Sequence, residues 1–191
     1  MPATVSPDLI EQAKGGDHHA FRKIVEAHQG FAYAVAYRFV GNRNEAEDIT
    51  QEAFIKLWKN IGKYRPEIKL TTWLYKIIMN LCLDFLKSAQ RKHQLRTEDV
   101  KSNHLIIDRS SQEQKQDDVE MLGVIVELAK QLTPKQQSVF ILCDLEGLES
   151  VEVSEVTGMD QGQIKSNLYY ARIKIREGLT KHYRETKSIT P

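Results

Sequence analysis

Ser150-Val151-Glu152-Val153-Ser154-Glu155-Val156-Thr157-Gly158-Met159-Asp160 runs directly into Gln161-Gly162-Gln163-Ile164-Lys165-Ser166-Asn167-Leu168-Tyr169-Tyr170-Ala171-Arg172. At helical spacing the first part is a short helix that stops at Gly158, a residue that tolerates left-handed dihedrals. Asp160, with Gln163 three residues later, resembles a capping box opening a second helix. That helix carries Ile164, Leu168, Ala171, Ile175 and Leu179 on its apolar side. Met159 is placed to plug the gap between the two helices, and Val153, Val156 and Ile164 to close a small core. These are the proportions of a helix-turn-helix. Gln163, Lys165, Ser166, Asn167 and Tyr170 point outward over the first two turns, where this motif meets base edges in the major groove. Asn and Gln suit adenine edges, Lys suits guanine, and Ser suits base or phosphate. Arg172, Lys174 and Arg176 lie farther along, at a place suited to phosphate. A helical hairpin that only packs could use the same turn.

Upstream, Thr133-Pro134 caps a helix carrying Val139, Phe140, Leu142 and Leu145 up to Gly147. Before it, Met121, Leu122, Ile125, Leu128, Ala129 and Leu132 share one helix, so a domain spans 118–191 and ends in a polar tail. From 94 to 117 apolar periodicity disappears; Ser, Asn, Gln, Asp and Glu dominate, the composition of a flexible linker. The N-terminal part, 1–93, reads as four helices. Ser6-Pro7-Asp8 starts the first and Gly15-Gly16 stops it. Asp17 caps the second, whose Phe21, Ile24, Val25, Phe31, Ala32, Val35 and Phe39 run to Gly41. Asn42 opens the third, with Ala46, Ile49, Ala53, Phe54, Leu57, Trp58 and Ile61 at three-and-four spacing. Tyr64-Arg65-Pro66 breaks the pattern, and Thr71 or Thr72 starts a fourth helix bearing Leu74, Ile77, Ile78, Leu81, Phe85 and Leu86. No stretch has strand periodicity. The expected fold is all-α: an N-terminal helical bundle and a C-terminal helix-turn-helix domain, joined by a flexible linker.

Of 191 residues, 41% are hydrophobic and 28% charged, a balance that permits real cores. No run approaches the roughly 18 to 20 apolar residues of a membrane span, and Met1 to Ser6 lacks the pattern of a signal peptide. A cytoplasmic protein without membrane insertion is expected. Cys82 and Cys143, both among apolar neighbours, read as reduced core residues. The net charge of +1 conceals an uneven distribution. Lys59 to Lys92 holds eight basic and two acidic residues, and Asp160 to Lys187 holds seven and three. Glu98 to Glu120 reverses this, with seven acidic and three basic. Two basic surfaces separated by an acidic connector point to a polyanionic partner. The six histidines form no recognisable ligand set and no glycine-rich phosphate loop occurs, so neither catalysis nor a cofactor is expected.

On the fourth helix Trp73, Lys76, Asn80, Lys87 and Arg91 share a stripe away from Leu74, Ile77 and Leu81. Lys63-Tyr64-Arg65 precedes it. Aromatics interleaved with cations suit unpaired bases, the rings stacking and the cations tracking phosphate. Core-edge rings with solvated lysines remain the alternative.

Ala46-Glu47-Asp48-Ile49-Thr50-Gln51-Glu52-Ala53-Phe54 with Leu57-Trp58 resembles the core-polymerase-binding segment of extracytoplasmic-function (ECF) sigma factors, of the sigma-70 family. Thr72-Trp73-Leu74-Tyr75-Lys76-Ile77 with Asn80 resembles that family's promoter-melting helix. Leu132-Thr133-Pro134-Lys135-Gln136 and Gly162 through Arg172 resemble its C-terminal domain. The likeness implies a factor that directs core RNA polymerase to promoter DNA. It implies that Asp48, Gln51, Glu52 and Phe54 contact the polymerase. Lys63, Tyr64, Arg65, Trp73, Lys76 and Asn80 would take the minus-ten element, and Gln163, Lys165, Ser166, Asn167, Tyr170 and Arg172 the minus-thirty-five element. Asn167 and Tyr170 depart from the arginine common at these positions. Members of this group usually answer to a dedicated anti-sigma protein, which the resemblance makes a further expected partner.

Physically, acidic residues on the third helix suit a basic protein surface rather than DNA. A conventional helix-turn-helix regulator is the competing reading, but it has no need of the aromatic-basic loop. As a coil the 24-residue linker spans about 27 Å, and extended about 80 Å. It is therefore expected to stretch in the working complex. In the free chain the domains are expected to be mobile, or clamped together by an inhibitor.

Overall fold

The computed structural model describes residues 5–95 and 113–187. Of the predicted linker 94–117, residues 96–112 lie outside the described part, as does the end of the tail, 188–191. The described chain is helical. The elements are α1 (Pro7–Lys14), α2 (His18–Val40), α3 (Arg43–Asn60), a 3-10 turn (Ile61–Lys63) and α4 (Leu70–Leu95). Then come α5 (Glu113–Ala129), α6 (Pro134–Phe140) continuing as a π turn (Ile141–Leu145), α7 (Ser150–Thr157) and α8 (Gln161–Lys187).

Local chemistry sets these boundaries. Asp17 Oδ1 accepts from the amides of His19 and Ala20 at 2.7 and 3.2 Å, satisfying two orphan donors at the start of α2. These same bonds hold the Asp17 carboxyl below its ordinary pKa. Asn42 caps α3 through Glu45 N–H at 3.2 Å. Thr133 and Gln136 close a reciprocal capping box on α6. Two boundaries differ from expectation. α4 begins at Leu70, whose side chain is buried. α5 begins at Glu113, inside the predicted linker and ahead of the apolar residues from 121 onward. Glu113-Gln114-Lys115-Gln116 are good helix formers, so the helix extends past the end of its apolar face.

In the N-terminal unit α2 buries Ala20, Ile24, His28, Ala32, Val35, Ala36 and Phe39, one stripe at helical spacing. α3 answers with Ala46, Ile49, Ala53, Phe54 and Leu57, and α4 with Leu74, Tyr75, Ile78, Met79 and Cys82. His28 is buried inside this packing, its Nδ1–H donating to the Ile24 carbonyl at 2.9 Å. Both cysteines are free thiols; Cys82 is buried and Cys143 half-buried. In the C-terminal unit α6 and the π turn bury Val139, Phe140, Ile141 and Leu142 against Ala171 and Ile175 of α8.

The two units do not stand apart, as the sequence led us to expect. One continuous apolar core joins them. α4 packs on α7, and α2 on α5. Gly41, at φ +63°, ends α2 against α5, and a Cβ there would lie 2.5 Å from Lys130 Cε and 3.0 Å from Val126 Cγ1. Val126 is 1% exposed, a residue whose burial the isolated C-terminal pattern did not require.

Candidate nucleic-acid and polymerase interface

Three surfaces carry the expected site residues. The first is the loop leading into α4. The 3-10 turn ends at Tyr64, which is extended at φ −62°, ψ 133°. Its hydroxyl donates to the Ile68 carbonyl at 2.8 Å, which folds the loop back on itself. The Tyr64 ring stacks on Trp73, centroids 5.6 Å apart and planes 27° off parallel. Lys14 Nζ lies 5.6 Å from the same centroid. Burial pushes the Tyr64 phenol up, partly offset by Lys14. Beside this pair is a hollow of about 410 Å³ lined by Lys56, Asn60, Lys63, Tyr64, Arg65, Ile68, Trp73 and Ile77. Lys63 Nζ donates to Asn60 Oδ1 at 3.2 Å, so Asn60 is tethered in the wall.

The structure thus brings Lys63, Tyr64, Arg65 and Trp73 together. It modifies the expected roles of the two rings: they stack on each other, both half-buried, and form a wall rather than two separate platforms. Lys76 and Asn80 are exposed but do not line the hollow. They continue along α4, Asn80 about 10 Å past Trp73 along the axis. Tyr75, two residues after Trp73, is buried and faces the C-terminal unit.

The second surface is α3. Asp48, Gln51 and Glu52 are exposed on one face. Phe54 is 7% exposed and belongs to the core, so its side chain presents no contact surface. The position that completes the face is Ile55, seven residues after Asp48 and 46% exposed. An aliphatic side chain amid acids at this spacing was the available signal, and the sequence reading passed over it.

The third surface is the start of α8. Gly158 ends α7 at φ +72°, the left-handed turn that the sequence required. Met159 fills the corner at 7% exposure, over Val153, Val156 and Ile164. Ser154 Oγ donates to the Met159 carbonyl at 2.7 Å, and Gln161 Nε2 donates to the Ser150 carbonyl at 3.1 Å, fixing the two helices. Gln163 N–H donates to Asp160 Oδ1 at 2.8 Å, while Gln163 Oε1 accepts from Asp160 N–H at 3.3 Å. The Oε1 of Gln163 is therefore engaged in the cap. Lys165 and Ser166 are exposed. Asn167 is half-buried and donates to the Gln163 carbonyl at 2.8 Å. Tyr170 is 54% exposed, and Tyr169, an outward residue that sequence reasoning left aside, is 62% exposed between Lys165 and Ser166 on the helical wheel. Arg172 forks onto Asp144 of the π turn, at 2.9 Å from Nε and 2.6 Å from Nη2. That pairing raises the Arg172 guanidinium further. In this structure Arg172 is a strut between α8 and the π turn.

Comparison with known proteins agrees with this layout. The family model of sigma-70 region 2 matches residues 24–92, the α2–α4 bundle, and that of sigma-70 region 4 matches 122–175, which include the helix-turn-helix. The chain is 30% identical over 176 residues to the ECF RNA polymerase sigma factor SigW of Bacillus subtilis, covering 89% of this chain and 94% of that protein. RNA polymerase sigma-H factor of Pseudomonas aeruginosa is 28% identical, over 93% of this chain and 95% of its own length. In fold it resembles CnrH, solved with the cytosolic domain of CnrY, at TM-score 0.64 and 21% identity, covering 91% of this chain and 96% of that one. It also resembles Bartonella quintana RpoE, solved with the anti-sigma factor NepR, at TM-score 0.65 and 20% identity, over 84% and 96%. With both regions matched in order and relatives aligned over nearly their whole length, the chain belongs to the sigma-70 family of RNA polymerase sigma factors, in its extracytoplasmic-function group.

Proposed function

We propose that this sigma factor splits promoter recognition between its two helical units, and the hollow beside the Tyr64–Trp73 stack carries the reading. As an ECF sigma factor, the chain directs core RNA polymerase to promoters and initiates transcription. Residues 1–93 dock on the polymerase and take the minus-ten element, 94–117 connect, and 118–191 read the minus-thirty-five element. The α3 face of Asp48, Gln51, Glu52 and Ile55 meets the clamp helices of the polymerase's largest subunit, an acidic rim around one aliphatic contact. Phe54 acts beneath it by fixing α3 to the core.

A flipped minus-ten base enters the hollow and stacks against the aromatic wall, while Lys63 and Arg65 hold phosphate. Lys76 and Asn80 follow the strand along α4. A concave, cation-rimmed aromatic hollow suits a base removed from its duplex and has no use for a paired one. In the C-terminal unit Lys165, Ser166, Asn167 and Tyr170 enter the major groove, with Gln163 fixing the helix start and Arg172 its angle. No described helix is long and apolar enough to cross a membrane, and the site of action is the cytoplasm, where the polymerase works. RpoE was solved with the anti-sigma factor NepR; we include an anti-sigma protein among the partners of this chain.

Size-exclusion chromatography with bacterial core RNA polymerase tests the reading. Co-elution in near-equal amounts, lost in the Asp48→Lys/Glu52→Lys variant, is expected. Separate elution of the unaltered chain would contradict it.

A further inference from the structure

Helix α1 precedes residues 24–92, the part matched to sigma-70 region 2, and the proposed split of promoter recognition gives it no task of its own. Its placement is nevertheless fixed. Ile10 and Ala13 are buried, and Val5 and Leu9 pack against the same core. Its last turn closes tightly: Gly15 N–H donates to the Glu11 carbonyl at 3.0 Å, and Gly16 N–H to the Ala13 carbonyl at 3.0 Å. Asp17 N–H donates to the Gln12 carbonyl at 3.1 Å. Gly16 stands at φ +90°, backbone that lets the chain turn at once into the Asp17 cap of α2. Lys14 thus sits on a helix end packed against both α2 and the 3-10 turn.

From there Lys14 reaches the wall of the proposed minus-ten hollow without lining the hollow itself. Its side chain is only 19% exposed, low for a lysine. Glu11, one turn earlier and 67% exposed, anchors the ammonium at 2.7 Å. The same ammonium stands over the Tyr64 ring, within the roughly 6 Å at which a cation is attracted to an aromatic face. The hydroxyl bond to the Ile68 carbonyl holds that ring by its tip, whereas Lys14 acts on its face. Tyr64 is in turn stacked on Trp73. Glu11, Lys14, Tyr64 and Trp73 therefore form one chain of contacts from α1 to the aromatic wall.

We infer that Lys14 is a positioning residue for the minus-ten hollow: its ammonium, steadied by Glu11, holds the Tyr64 ring against Trp73 before a base arrives. A wall already assembled spares the cost of ordering it during binding. The consequence for DNA rests on the promoter reading above; the placement of the ring does not. Arginine can supply the same cation at the same reach. Methionine keeps the apolar stem and loses the charge.

A chain carrying Trp58→Phe, in which Trp73 is the sole tryptophan, reports the wall without polymerase or DNA. In that background Lys14→Met should steepen acrylamide quenching of Trp73 and shift its emission to the red, at unchanged circular dichroism. Lys14→Arg should keep the parent's quenching. Equal quenching in all three chains overturns the inference. Should Lys14→Met lose helicity, Glu11→Ala decides: it is expected to steepen quenching in the same direction, and no change there overturns the inference too.

The functional consequence is read with reconstituted holoenzyme and a single strand spanning the minus-ten element of a promoter that unaltered holoenzyme selects. Lys14→Met should bind it about two- to tenfold more weakly, and Lys14→Arg should restore the affinity. In a Tyr64→Leu background Lys14→Met should cost nothing further. Unchanged affinity in Lys14→Met, or an equal loss with and without the Tyr64 ring, overturns the positioning role. If unaltered holoenzyme bound no such strand, the promoter assignment would fall, and quenching would still decide what holds the ring.

Discussion

The two surfaces proposed to meet DNA are opposites in shape. At the α3–α4 loop the N-terminal unit forms a hollow of about 410 Å³, walled by the Tyr64–Trp73 stack and rimmed by Lys56, Lys63 and Arg65. At α8 the C-terminal unit presents a convex helix with Lys165, Ser166, Tyr169 and Tyr170 standing out from it. The contrast follows from the state of the DNA each is proposed to meet. A duplex supplies its own groove, so its reader need only be a rigid projection held at a set angle. An unpaired base has lost its stacking partners, so its reader must supply walls. The supports differ accordingly. α8 is fixed by a turn at Gly158, the Asp160–Gln163 cap and the Arg172–Asp144 fork. The hollow is fixed by side chains folding back onto a loop, through the Tyr64 bond to Ile68 and Lys63 to Asn60.

Trp73→Ala breaks the comparison most severely on one side. It removes the wall, and with base–aromatic stacking at ~1–3 kcal/mol the holoenzyme should lose roughly ten- to a hundredfold in affinity for single-stranded minus-ten DNA. Binding to minus-thirty-five duplex should be unchanged, and fluorescence titration of the two DNAs separates the effects. Lys165→Ala is the converse test. Titration should find about a tenfold loss on minus-thirty-five duplex, from a contact of ~1–3 kcal/mol, and none on the single strand.

Smaller effects sharpen how independent the two units are. Thr133→Ala removes the α6 cap, costing about 1 kcal/mol. Calorimetry should find the C-terminal unit's midpoint lower by roughly 4–8 °C; an equal shift of all unfolding signals would mean that the continuous core makes the units melt together. Acidification gives the smallest effect. The Lys69 hydrogen bond holds Glu152 below its ordinary 4.5. Its contribution is therefore complete above that ordinary value and lost as pH falls through the lowered folded one. The contact between α4 and α7 should hold from neutral pH to about 5 and weaken below about 4. Glu152→Gln should abolish that part of the acid dependence, as read by thermal unfolding across the range.

Much of this was legible because it was local. Asp17, Asn42, Thr133 and Gly158 each bond or turn within a few residues, so spacing alone located them. The basic-aromatic loop was legible too, but not that Tyr64 and Trp73 stack on one another, since no spacing rule encodes a loop's return path. Glu146 was invisible: its partners Arg38 and Tyr75 lie 108 and 71 residues away, and a lone Glu after a helix reads as solvated. Arg172 read as a phosphate contact because its anion, Asp144, is supplied by a π turn that periodicity does not announce. Phe54 and Ile55 are adjacent apolar residues, and only packing decides which one faces out.

The division of labour is tested most directly by permanganate and nuclease footprinting of reconstituted holoenzyme on promoter fragments selected by that same holoenzyme. The unaltered chain should protect two separated elements and leave unpaired thymines only in the downstream one. Trp73→Ala should keep the upstream protection and lose the unpaired thymines, whereas Lys165→Ala should weaken the upstream protection first. If both variants lost both elements together, or if the thymines stayed unpaired without Trp73, the two surfaces would not have the separate tasks assigned to them here.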